Sequence, residues 1–67
     1  MNEPLQKGDR VELITMSQDP NPIPNGTKGV VTKANNVQGE MIYEMQWDNG
    51  RSLSLIGSVD IWKKLQQ

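Results

Sequence analysis

Glycine and proline punctuate this chain from Gly8 through Pro20, Pro22, Pro24, Gly26, Gly29, Gly39 and Gly50 to Gly57. Proline disrupts a helix interior through its missing N–H and ring clash, and glycine through its backbone entropy, so the chain is left with short segments. Apolar and polar residues alternate within several of them, which is the pattern of half-buried strands.

Lys7-Gly8-Asp9 reads as a turn into a first strand, Arg10 to Met16, with Val11 and Leu13 on one face and Glu12 between them. Ser17 to Gly26 is a long loop, stiffened by three prolines that fix their own φ and push Asp19, Asn21 and Ile23 toward extended geometry. Asn25-Gly26 offers the positive φ that turns the chain into a second strand, Thr27 to Ala34. Asn35 to Gly39 is expected to be a polar turn. The third strand, Glu40 to Trp47, places Met41, Tyr43, Met45 and Trp47 on one face and Ile42, Glu44 and Gln46 on the other. Asp48-Asn49-Gly50 predicts a two-residue hairpin turn with positive φ at both central positions. A fourth strand, Arg51 to Ile56, follows with Leu53 and Leu55 inward, then a tight or 3₁₀ turn over Gly57 to Asp60 and a closing strand, Ile61 to Leu65. Ile61 to Gln67 also admits a short helix, because Ile61 and Leu65 stand four apart, although no cap precedes it.

Length and composition narrow the function. With 67 residues the chain is one small domain, 1–67 with its core about 7–65. It has no Cys and no His, which removes disulfides, thiolate metal sites, thiol catalysis and the commonest general base. The reading is therefore a non-enzyme with no cofactor and no metal. Asp9, Asp19, Asp48 and Asp60 all sit at turn positions, where Asp serves local hydrogen bonding. The net charge of -1, from 7 basic and 8 acidic residues, lacks the surplus of a strong nucleic-acid binder. No apolar run reaches the roughly 20 residues of a membrane span, and Met1 to Gly8 has no signal-peptide pattern. A complete small cytoplasmic protein is the expectation.

Five short strands suit a small barrel, which removes open edges by closing on itself. The order of segments resembles the SH3-like barrel, with a long Pro-rich loop after the first strand and one 3₁₀ turn before the last. Gly8 to Leu13 (G-D-R-V-E-L), Asp19 to Val31 (D-P-N-P-I-P-N-G-T-K-G-V-V), Trp47 to Leu53 (W-D-N-G-R-S-L) and Asp60 occur in the order found in an uncharacterised bacterial and phage family of small SH3-like proteins. The resemblance spans roughly Lys7 to Leu65 and implies the barrel but little chemistry. Gly26 to Val31 resembles, more weakly, the G-x-x-G-x-V segment of KOW-type domains.

The expected function is a binding or adaptor module for protein partners. Its candidate surface comprises Asp19, Pro20, Pro22, Ile23 and Pro24 of the loop, Asp48 and Arg51 of the hairpin, and Trp62. Each has a structural alternative. Ile23 plugs one barrel end, Asp48-Asn49-Gly50 is only a good turn with Arg51 paired to Asp48 or Asp60, and Trp62 covers a barrel end. A Pro-peptide groove needs several exposed aromatics, and the chain has only Tyr43, Trp47 and Trp62. The rival function is a KOW- or Tudor-like nucleic-acid binder using Lys28, Lys33, Arg51 and Lys63. Against it, Lys28 and Lys33 have opposite parity unless Gly29 bends the strand. A third reading is a subunit that self-assembles through its strand edges.

Overall fold

Five antiparallel strands form one sheet in a computed structural model that describes residues 4–16 and 19–65. They are β1 (Arg10–Thr15), β2 (Lys28–Val37), β3 (Glu40–Trp47), β4 (Leu55–Ile56) and β5 (Ile61–Lys64), in the spatial order β4-β3-β2-β1-β5. No helix is present among the described residues, so Ile61–Lys64 is a strand and not part of the alternative helix, whose last residues, 66–67, lie outside the described residues.

Alternation decides what each strand buries. Val11 and Leu13 of β1, Val31 of β2 and Tyr43, Met45 and Trp47 of β3 all point into the core. Leu55 of β4 and Trp62 of β5 join them, and Leu5 and Ile23 enter from outside the strands. Ile23 therefore is the plug of the proline loop. Trp47 is the largest of the fully buried side chains, and its indole Nε1–H donates to the Leu53 carbonyl at 2.7 Å. Gly29 lets β2 pass over this ring: a Cβ there would stand 2.7 Å from Trp47 Cε3.

Four expectations about the strands and turns are corrected. β2 runs on to Val37, because Asn35, Asn36 and Val37 pair with Ile42, Met41 and Glu40, and only Gln38 and Gly39 remain as the turn. Both have positive φ, 52° and 85°, the signature of a two-residue I′ hairpin. The Asn49-Gly50 turn is of another kind. Gly50 alone has positive φ, its N–H donates to the Trp47 carbonyl, and the Trp47 N–H donates to the Arg51 carbonyl. That is a type I turn closed by a glycine bulge. The fourth strand shortens to Leu55–Ile56, since the Leu53 carbonyl is drawn to the Trp47 indole. The turn after it is tight, one of the two expected forms, but carries both i+3 and i+4 bonds, from the N–H groups of Val59 and Asp60 to the Ile56 carbonyl, so the 3₁₀ form is corrected.

The expected closed barrel is also corrected: the sheet stays open, with β4 and β5 as its edges. Ile56 at the β4 edge gives its N–H to Asp60 Oδ2 at 2.8 Å and its carbonyl to the turn. A two-residue strand whose backbone groups are engaged in this way has little left to extend a ladder. β5 carries Lys63 and Lys64, charges of the kind that discourage edge-to-edge pairing.

Candidate functional site

A groove of about 240 Å³ lies between the start of the proline loop and the β3–β4 face. Ile42 and Ile56 are register partners, so their side chains lie side by side on the face opposite buried Tyr43 and Leu55. Leu53 and Val59 extend this aliphatic surface, and Met16 and Ser54 complete the lining. Asp19 and Asp60 bring two carboxylates to it from different elements.

The loop side is held by Arg51. Its guanidinium donates to the Asn21 carbonyl at 2.8 Å and the Pro22 carbonyl at 3.2 Å. Asp19 Oδ1 accepts the Asn21 N–H at 2.8 Å, an Asx turn that fixes this carboxylate just upstream of the pinned residues. Arg51 therefore clamps the hairpin to the loop, and the expectation that it pairs with Asp48 or Asp60 is corrected.

Asp60 is only 3% exposed, and burial pushes its carboxyl above the usual Asp range. The Ile56 N–H bond opposes that rise, and the charge of Asp19 adds to it. Asp48 lies elsewhere, held by Arg10 through bonds of 2.9 and 2.8 Å. This fork bond lowers the Asp48 carboxyl below its ordinary value and raises the Arg10 guanidinium.

The other sequence candidates separate. Pro20, Pro22 and Pro24 are exposed along the loop, and Ile23 is buried beneath them. Trp62 is 5% exposed and meets Tyr43 edge to face at 5.6 Å, which corrects its reading as an exposed anchor. The outward residue of that pair is Ile61, 47% exposed, as strand alternation requires.

The lysines do not form a basic patch. A bulge between Val31 and Lys33 resets the parity of β2, so the expected opposition of Lys28 and Lys33 is corrected: they share a face, and the reset lies at Thr32, not Gly29. Lys28 and Lys63 stand opposite Glu12 on its two sides, and Lys33 stands opposite Glu44. Lys64 lies 3.6 Å from Asp9. Among the described residues no group of three or more His, Cys, Asp or Glu is placed to hold a metal ion. No helix among the described residues is long and apolar enough to cross a membrane.

Ile42, Ile56 and Val59 were not singled out by sequence, whereas the sequence places Leu53 inward, and it does pack against the core from the groove wall. Two irregularities mark the isoleucines: Ile42 shares a strand face with Glu44 and Gln46, and Ile56 stands at the parity where Ser52 and Ser54 precede it. Aliphatic residues at outward parity are what a docking surface requires. Arg10 carried no signal, because its partner is 38 residues away.

Residues 1–65 match the family model described as Domain of unknown function (DUF4314). No curated protein and no solved structure matches the chain.

Proposed function

Because the chain belongs to the DUF4314 family, which carries no assigned activity, we propose from its geometry that it is a non-enzymatic module that docks a segment of a protein partner in the Ile42–Ile56 groove. We read its curled sheet as a small SH3-like barrel left open between β4 and β5. The observation that carries the function is the aliphatic lining of exposed Ile56 with half-buried Ile42, Leu53 and Val59, clamped on its loop side by Arg51. Apolar surface of this kind gains free energy on burial, at roughly 25 cal/mol per Å² before association costs. Nucleic acid is the less favoured partner. Lys28, Lys33 and Lys63 face carboxylates across the sheet and Arg51 is bonded to loop carbonyls, so a phosphate would meet mixed charge.

Selection of random peptides on the immobilised full chain tests this. Enriched peptides should lose binding at least about tenfold on Ile56→Asn, a loss of roughly 1.4 kcal/mol. Peptides that bind Ile56→Asn as well as the wild type, or no enrichment at all, would remove the groove as the docking surface.

A further inference from the structure

We propose that two copies of this chain pair edge to edge through the part of β2 that no strand covers, in an antiparallel register centred on Asn35. The free edge comes from unequal reach. On the side away from β3, β1 and the residues leading into it extend along β2 only as far as Val31 among the described residues. β2 runs on to Val37, and Lys33, Ala34, Asn36 and Val37 are exposed. The turn at Gln38 and Gly39 closes on the register pair Val37 and Glu40, which exchanges both its backbone bonds. Backbone groups alternate in direction along a strand, so Asn35 also faces β3, while Ala34 and Asn36 aim their N–H and C=O groups outward. The β4 edge is engaged by Asp60 and the turn, and β5 carries Lys63 and Lys64. The free stretch of β2 has no Pro and only Lys33 as a charge, so it lacks the devices that blunt an edge.

The occupant follows from the register. With Asn35 opposite Asn35 of a second copy, Ala34 stands opposite Asn36 and Asn36 opposite Ala34. Each of these pairs exchanges both its backbone bonds, so every outward group of both copies is used. Slipping to the next register of the same parity leaves half of them without a partner. The side chains agree. Lys33, Asn35 and Val37 share a face with Glu44, Ile42 and Glu40, their partners on β3. Across the junction Lys33 stands opposite Val37 of the second copy, with Glu40 of that copy beyond it and its own Glu44 behind it. Each cation therefore lies between carboxylates, and no like charges are opposed. Val37 is 50% exposed and gains cover from the aliphatic stem of that lysine. A net charge of -1 per chain adds little repulsion.

Sedimentation equilibrium of the full chain, from micromolar to millimolar concentration, tests the proposal. A reversible monomer–dimer equilibrium is expected, with amide exchange at Ala34 and Asn36 slowing as the dimer forms. Ala34→Pro removes an outward N–H that makes no bond within the chain, and should raise the dimer dissociation constant at least about tenfold. Val37→Lys sets a lysine opposite Lys33 and should weaken the dimer in a way that added salt relieves. That variant decides the matter where circular dichroism shows the proline variant to be unfolded. Ile56→Asn, in the docking groove, should leave the dimer unchanged. A chain that stays monomeric at millimolar concentration, or a dimer that the edge variants leave intact, would overturn the pairing. A dimer lost on Ile56→Asn alone would also overturn it and place the contact in the groove.

Discussion

Gly29 is a glycine because of its neighbour across the ladder. Any Cβ would lie 2.7 Å from Trp47 Cε3 and 3.0 Å from the Gln46 carbonyl, and Trp47 is anchored at its other end by the Leu53 carbonyl. Gly29→Ala should therefore destabilise the fold by about 1–3 kcal/mol, read from the urea midpoint. The sequence marks this position as a close approach but does not say what approaches. Asp60 makes a second prediction. Its native carboxyl sits above the ordinary Asp value, so the unfolded chain releases its proton first as pH rises. The resulting contribution to stability is fully present below the ordinary Asp value and is lost as pH rises through the raised one. Asp48 acts oppositely: held low by Arg10, it contributes above the ordinary value and loses that as pH falls through its own. Comparing urea midpoints against pH for wild type and Asp60→Asn should show the wild type gaining on the variant as pH falls through the Asp60 transition. An unchanged difference across that range would contradict the burial of this carboxyl.

The strand elements follow from alternation, which is local and legible. Their irregularities do not, because a bulge belongs to a pair of strands and not to one. Thr32 has the composition of any strand residue, yet the slip beside it sets which face Lys33 occupies. The β2–β3 turn shows the same limit: Asn35 and Asn36 look like turn residues, and cross-strand pairing to β3 overrides them. The turn falls instead on Gln38, a side chain held at positive φ. Such a conformation costs an L residue roughly 1 kcal/mol. Gln38→Gly, which keeps the exposed turn and removes the Cβ, should raise stability by up to about 1 kcal/mol in the same urea assay, net of its larger unfolded-state entropy. Arg51 is a long-range clamp on the proline loop, beside the buried plug Ile23. Arg51→Met should release Asn21 and Pro22, lower the backbone order parameters of Asn21 and Ile23, and weaken peptide binding with little change in the core.

At the scale of the whole molecule, the buried faces of five strands meet in one core, and the exposed large aliphatic residues are spread over Ile14, Val37, Ile56 and Ile61, of which Ile56 lines the groove. The strand count, the long loop and the buried aromatics of β3 were readable from spacing. The open edge was not, because it depends on Asp60 and the turn engaging Ile56, which no local pattern shows. The groove was half legible, through Asp19 and through two isoleucines at outward parity, but Asp19 and Asp60 meet only after folding. The same folding sets Lys28, Lys33 and Lys63 opposite acids. An amide-shift map of the labelled full chain at low salt, recorded with a peptide selected on the immobilised chain and with mixed short DNA and RNA, tests the docking claim most directly. The account predicts peptide-induced shifts at Ile42, Leu53, Ile56, Val59 and Asp60, and no salt-sensitive shifts from nucleic acid. Shifts at Lys28, Lys33, Arg51 and Lys63 that appear with nucleic acid and vanish as salt is raised, with the groove silent to peptide, would contradict it.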